Sequence, residues 1–201
     1  MIARLRIENL RSAHAGPFNL TLAPGECIAI TGQSGSGKTL FLRMLADLDP
    51  SEGMVALDGQ DRRCYPAPTW RARVTYCAAE PGWWANTIVS HFSPETSVRA
   101  AQLAPALGLD PALLKASVAQ LSTGERQRFA LIRGLVLKPA VLLLDEPTGS
   151  LDTGSTERVE WVLAESASSG TSIVMVTHNP AQAQRLGARQ FRMQSGRLHP
   201  A

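Results

Sequence analysis

No stretch of this sequence stays apolar long enough to cross a bilayer. The richest neighbourhood, Phe129 to Leu144, is broken by Arg133, Lys138 and Pro139. No secretory leader is visible either, since charges interrupt every apolar stretch between Met1 and Arg6. Internal repeats and low-complexity tracts are lacking. Cysteine is scarce: Cys27, Cys64 and Cys77 have no metal-ligand spacing, and the first and last lie in apolar, strand-like runs. Buried free thiols in a reducing cytosol are therefore expected. A strong charge of one sign is missing too, Lys and Arg exceeding Asp and Glu by three. That balance suits anionic ligands or lipid headgroups and makes no case for nucleic acid. What remains is one well-packed domain of 201 residues, soluble or peripheral at a membrane, with an ordinary globular hydrophobic fraction of 44%.

The positive signals begin with alternation. Ile2 to Ile7 and Phe18 to Leu22 read as strands, and Cys27 to Thr31 as a buried one after the Pro24-Gly25-Glu26 turn. Thr39 to Leu48 has helical spacing. Further strands are expected at Gly53–Leu57, Arg73–Cys77, Val141–Leu144, Ser172–Thr177 and Gln190–Met193. The middle, Pro81 to Leu137, is rich in Ala and Leu and carries no convincing strand. Helix-start signals stand there at Ser93-Pro94-Glu95 and Asp110-Pro111. The expected fold is α/β, strands flanking a helical insertion.

Gly32-Gln33-Ser34-Gly35-Ser36-Gly37-Lys38-Thr39 matches G-x-x-x-x-G-K-[ST] between an apolar strand and a helix. Glycine lets backbone N–H groups curl around phosphate oxygens, and the helix N-terminus adds partial positive charge. Lys38 can then reach the β- and γ-phosphates, and the Thr39 hydroxyl can ligate Mg²⁺. Kinases, GTPases and ATPases share this loop. Downstream, the apolar strand Val141–Leu144 delivers Asp145-Glu146, as a Mg²⁺ site beside bound phosphates requires. Asp145 is the expected metal-side carboxylate and Glu146 the group that polarises the attacking water.

Leu121-Ser122-Thr123-Gly124-Glu125-Arg126-Gln127-Arg128 precedes a long amphipathic helix. On physics alone this is a Ser-capped helix start. It also resembles the signature of the ATP-binding cassette family, usually Leu-Ser-Gly-Gly-Gln, from which Thr123 and Glu125 depart. The other elements follow in family order: Asp145-Glu146-Pro147-Thr148, then Ser150-Leu151-Asp152, then Thr177-His178 after another apolar strand. The resemblance covers essentially the whole chain. It implies a P-loop NTPase core with a mostly parallel sheet, an antiparallel N-terminal β part, and a helical subdomain at 81–137 set between core segments 1–80 and 138–201. It also implies a head-to-tail dimer in which each ATP lies between one subunit's phosphate loop and the other's segment Ser122, Thr123, Gly124, Glu125. Glu146 would be the catalytic base, His178 would stand near the γ-phosphate, and Asp152 would couple the two sites.

Three places depart from the family pattern or extend it. The family usually has a Gln as a Mg²⁺ and water ligand after the strand Val74–Cys77; Glu80 stands at the aligned position, as a metal-side ligand or as a merely structural residue. No aromatic for adenine stacking stands on the first loop, where His14 is the only ring and Phe18 reads as core. Trp83-Trp84 either pack into the helical subdomain or line a groove for a partner helix, the region that in transport cassettes receives a short cytoplasmic helix of the membrane subunit. The leading expectation is the ATPase subunit of a membrane transporter, needing ATP and Mg²⁺, on the cytoplasmic face, with a permease on a separate chain. A soluble cassette in DNA repair, ribosome function or cofactor assembly is the alternative, though coiled coils, zinc modules, tandem cassettes and basic arms are absent. A small-molecule kinase is disfavoured by Ser122-Gly124 and His178.

Overall fold

The computed structural model describes residues 3–201. The chain runs β1 (Leu5–Arg11), β2 (Phe18–Leu22), β3 (Cys27–Thr31), α1 (Lys38–Leu45), β4 (Glu52–Leu57), β5 (Gln60–Asp61), α2 (Ala67–Arg73) and β6 (Val74–Cys77). It continues through α3 (Pro94–Leu103), α4 (Thr123–Leu135), β7 (Val141–Asp145), α5 (Thr153–Ser168), β8 (Ser172–Val176), α6 (Pro180–Arg185), β9 (Arg189–Gln194) and β10 (Arg197–Pro200), with short 3-10 turns between.

Two sheets result. A four-stranded antiparallel sheet has the order β2-β1-β4-β5, and a six-stranded sheet the order β10-β9-β3-β8-β7-β6. In the larger sheet β9, β3, β8, β7 and β6 are parallel, and only β10 runs against its neighbour. Its inner strands are buried on both faces, which is why they are apolar without interruption. Residues of β7 alternate between two cores. Leu143 packs with Phe18, Phe41 and Trp70 on the side of α1 and the antiparallel sheet. Leu142 and Leu144 pack with Phe129, Val159 and Leu163 on the side of α4 and α5. Trp70 is fully buried and its indole Nε1 donates to the Leu45 carbonyl at 2.9 Å, so the largest side chain of the first core leaves no polar group unpaired.

The first strand differs from its expected span. Ile2 lies outside the described residues, and β1 continues to Arg11 across a register shift between Ile7 and Leu10, where Asn9 has a φ of 49°. That irregularity resets which residues face the core, so simple alternation misses the far half. Helix α1 stops at Leu45 because Asp47 turns left-handed, with φ 59°. Ser93 caps α3 by accepting from the Thr96 N–H at 3.2 Å. Asp110-Pro111 opens only a 3-10 turn, Pro111–Lys115, although the Asp110 carboxylate does accept from the Ala112 N–H. Competing backbone bonds explain this. Ala116 accepts from the Ile88 N–H and Val118 donates to the Asn86 carbonyl, which pulls the chain extended into a single bridge between Thr87 and Ser117.

Helix α4 lies so close to β6 that a Cβ on Gly134 would stand 2.7 Å from the Cys77 sulfur. Any larger residue there would force the Cys77 side chain to shift. Cys27 is buried, Cys77 is half-buried and Cys64 is exposed. Burial pushes the thiols of Cys27 and Cys77 up to about 12. At pH 8 only about one part in ten thousand of either would be thiolate, the reactive form. A disulfide-exchange reagent should accordingly label Cys64 alone in the native protein at pH 8, and all three cysteines after unfolding. Fast native labelling of Cys27 or Cys77 would contradict the packing described.

Candidate active site

The loop between β3 and α1 has the shape its glycines permit. Gly37 caps α1 with φ 104°, which side chains rarely tolerate. Gly32 is required for space as well, since a Cβ there would sit 2.4 Å from the Met193 carbonyl of β9. Lys38 is buried, and its ammonium donates to the loop's own carbonyls at Gly32 (2.8 Å) and Gln33 (2.9 Å). One of its three N–H groups is left over from those two bonds.

At the end of β7 the Asp145 carboxylate is buried, and its Oδ2 accepts from the Thr39 hydroxyl at 2.7 Å and from the Tyr76 hydroxyl at 3.1 Å. Burial first, then the adjacent Asp145 charge, pushes the Tyr76 phenol well above its ordinary value. It therefore acts here as a donor. The Thr39 and Asp145 oxygens form a hard donor set of the type Mg²⁺ prefers. Glu146 follows in left-handed backbone, φ 50°, with its N–H on the Val176 carbonyl at 3.0 Å. Its Oε1 lies 2.8 Å from His178 Nε2. A carboxylate can only accept, so Nε2 carries the hydrogen of that contact.

The phosphate loop from Ser34 to Thr39, Glu146 and His178 open onto one cleft of about 650 Å³, which His14 also lines. The first-loop ring thus lines the cleft. Phe18 is core, its ring tilted 55° against that of Phe41 with centroids 4.6 Å apart.

Other expected residues lie elsewhere. Ser122 is exposed at the head of α4 in a reciprocal cap: its hydroxyl accepts from the Glu125 N–H at 3.3 Å, and its own N–H and hydroxyl donate to Glu125 Oε2 at 2.8 and 2.7 Å. Those donors hold the Glu125 carboxyl below its ordinary value. Thr123 accepts from Arg126, and Gly124 abuts the Leu151 side chain. Asp152 caps α5, accepting from the Ser155 N–H and hydroxyl at 2.9 and 2.8 Å, which lowers its pKa. Glu80 is exposed on the turn after β6, outside the cleft lining. Tyr76, not Glu80, is the β6 contribution beside Asp145. Trp83 is half-buried and Trp84 exposed, both against His91.

Two buried glutamines join the site without any sequence signal. Gln127 on α4 is 6% exposed, and its Nε2 donates to the Glu146 carbonyl at 2.9 Å. Gln182 on α6 accepts from the Thr177 hydroxyl at 2.8 Å and donates to Thr148 at 3.0 Å, tying the loop after β7 to the end of β8.

Comparison with known proteins places these elements in a family. The family described as "ABC transporter" matches residues 16–149. The chain is 34% identical over 172 residues to the probable iron export ATP-binding protein FetA of Escherichia coli (strain K12), covering 81% of this chain and 76% of that protein. It is 35% identical over 204 residues to the lipoprotein-releasing system ATP-binding protein LolD of Pseudomonas syringae pv. tomato, covering 90% and 86%. In fold it is similar to the ATP-binding cassette MJ0796 in a dimeric post-hydrolysis state bound to ADP and Pi, with TM-score 0.79, 21% identity, and 97% of this chain and 96% of that one covered.

Gln127 offers a direct test of how the site is held. Gln127→Leu keeps the side chain's bulk and removes the donor to Glu146. It should lower the maximal rate of nucleotide hydrolysis about tenfold, while nucleotide affinity changes less than about twofold. Steady-state phosphate release and a fluorescent-nucleotide titration would measure the two. An unchanged rate would mean that the Glu146 backbone holds its left-handed turn without Gln127.

Proposed function

Because this chain belongs to the ABC transporter family, we propose that it is the ATP-binding and hydrolysing subunit of a membrane transporter, paired with a second cassette and with a permease on a separate chain. The observation that carries the reading is the single cleft shared by the phosphate loop, Glu146 and His178. Relatives that are themselves named as ATP-binding proteins of transport systems support it. They are named for different cargoes, so cargo and direction belong to the membrane partner. Among the described residues no helix is long and apolar enough to span a membrane. Attachment to the cytoplasmic face through the permease is the corresponding proposal.

In this reading the loop amides and Lys38 grip the phosphates, Lys38 exchanging its loop carbonyls for β- and γ-oxygens. His14 flanks the cleft where a base can lie. Thr39 and Asp145 would hold Mg²⁺, which would supply neutralisation of the phosphate charge. Glu146 accepts a proton from water as the water oxygen bonds to the γ-phosphorus and the bond to the bridging oxygen breaks, giving ADP and phosphate. His178, donating from Nε2, fixes the Glu146 carboxylate and stands ready beside the γ-phosphate. Ser122, Thr123, Gly124 and Glu125 face the nucleotide of the second subunit, and Asp152 lies at the seam between sites. Glu80 reaches the metal side once the dimer closes. Residues 81–137 form the helical subdomain, and Trp83-Trp84 receive the permease.

Glu146→Gln should abolish steady-state ATPase activity yet retain ATP, trapping the dimer. Purified with ATP and Mg²⁺ from detergent-solubilised native membranes, it should bring a stoichiometric multi-span membrane protein. Recovery with soluble partners, ribosomes or DNA would instead place the chain among soluble cassettes. Glu80→Gln tests the departure from the family pattern: turnover and its Mg²⁺ dependence should both shift. If neither moves, Glu80 is a surface residue only.

A further inference from the structure

Tyr76 and Asp145 meet because of how β6 and β7 lie side by side. The two strands are parallel, with Tyr76 opposite Leu143, so Asp145 stands diagonally ahead of Tyr76. Residues two apart on a strand share a face, which puts Tyr76, Leu143 and Asp145 on the side of the core around Phe41. A diagonal neighbour is within reach of aromatic and other long side chains, and of few others. Tyr76 uses that reach: its hydroxyl donates to Asp145 Oδ2 at 3.1 Å. Thr39 donates to the same oxygen at 2.7 Å. Among the described residues nothing donates to Oδ1, yet that oxygen is not sealed from solvent.

A carboxylate oxygen has two lone pairs, and on Oδ2 both are taken. The donors come from different elements, α1 and β6, and converge on one atom. The terminal torsion of an aspartate is otherwise soft, with broad wells, so a carboxylate without donors turns freely about its Cβ–Cγ bond. Here that freedom is removed, and Oδ1 is the oxygen left with open lone pairs. Thr39 cannot do this alone, because its hydroxyl oxygen is itself assigned to the metal. The Tyr76 hydroxyl is not shared in this way: among the described residues Asp145 is its one hydrogen-bond partner. Glu80, the other group expected from the end of β6, is exposed and outside the cleft lining.

We propose that Tyr76 is a positioning residue for the metal of the nucleotide site, its hydroxyl fixing the Asp145 carboxylate so that Oδ1 alone faces the metal side. The inference rests on the reading of Thr39 and Asp145 as the Mg²⁺ side of an ATP site, and adds the residue that aims the carboxylate. Mg²⁺ demands near-ideal octahedral geometry, whereas the larger Ca²⁺ accepts a flexible shell and carboxylates that offer both oxygens. Holding one oxygen away therefore favours Mg²⁺ over Ca²⁺, whether the other meets the ion directly or through water. Without the Tyr76 hydroxyl the carboxylate is free to turn and to present both oxygens, which suits Ca²⁺.

The experiment compares the full chain with Tyr76→Phe, which keeps the ring and removes only the hydroxyl. A fluorescent non-hydrolysable ATP analogue is titrated in EDTA, in Mg²⁺ and in Ca²⁺, and the affinity gained from each ion is read. Mg²⁺ should tighten binding to the unsubstituted chain. In Tyr76→Phe that gain should fall about fivefold, while the Ca²⁺ gain and the EDTA affinity change less than about twofold. In an Asp145→Ala background, where Thr39 and the phosphates still meet the ion, Tyr76→Phe should lower the gain no further, since the hydroxyl acts only through that carboxylate. An unchanged Mg²⁺ gain in Tyr76→Phe, equal losses with both ions, or a further loss beside Asp145→Ala would overturn the proposal. If Tyr76→Phe loses its EDTA affinity, and so its fold, 3-fluorotyrosine at position 76 decides. Its more acidic hydroxyl is the stronger donor, so the Mg²⁺ gain should rise above that of the unsubstituted chain; a gain at or below it would overturn the proposal. No Mg²⁺ gain in the unsubstituted chain would instead overturn the reading of Thr39 and Asp145 as the metal side.

Discussion

A buried carboxylate must find hydrogen-bond donors, and Asp145 takes its donors from two elements far apart in the chain. Thr39 comes from the first turn of α1 and Tyr76 from β6, while Asp145 itself ends β7. One carboxylate thus fixes the helix that opens the phosphate loop against the two parallel strands beneath it. Losing that group would leave two hydroxyls in a part-buried site without their acceptor, and the loop would lose its reference to the sheet. The cleft keeps its shape because this tie sits at its floor.

Around the tie, the polar groups at the C-terminal ends of the strands are held by buried amides. Gln127 reaches from the α4 side of the sheet to the Glu146 carbonyl, and Gln182 joins Thr148 to Thr177. Glu146 and His178, which meet in the cleft, are thereby braced from behind by different helices. Ligands in open α/β sheets bind beyond the carboxyl ends of parallel strands. Here β3, β7 and β8 each contribute one part of the site just past their last residue.

The legible parts were those whose chemistry is contiguous in sequence. The phosphate loop must be a glycine-rich run because backbone amides wrap the ligand, and Asp145-Glu146 follows an apolar strand because it has to stand at the strand's end. Tyr76 and Gln127 could not be read. Tyr76 meets a carboxylate 69 residues away, and Gln127 meets a main-chain carbonyl that any residue could supply. Among the elements, β10 was missed because Arg197-Leu198-His199-Pro200 is a short edge strand with no apolar alternation. The turn at Asp110 read as a helix start because its cap is real; the backbone pairing of Ile88 and Val118 that extends the chain beyond it is invisible locally.

The glycine seam between α4 and β6 has a mechanical meaning. The helix passes close to β6 at Gly134, near its C-terminal end, while Ser122 lies exposed at the other. Between the two ends Gln127 and Arg128 tie the helix to the Glu146 and Leu107 carbonyls, so any tilt about Gly134 has to carry those bonds with it. At 1.5 Å per residue the arm from Gly134 to Ser122 is about 18 Å, so a tilt of about 5° at this fulcrum carries Ser122 about 1.6 Å. Arg133 is the neighbouring residue and its guanidinium lies against Trp83 and Trp84, so a load applied at that turn acts at the short end of a lever whose long end carries the serine.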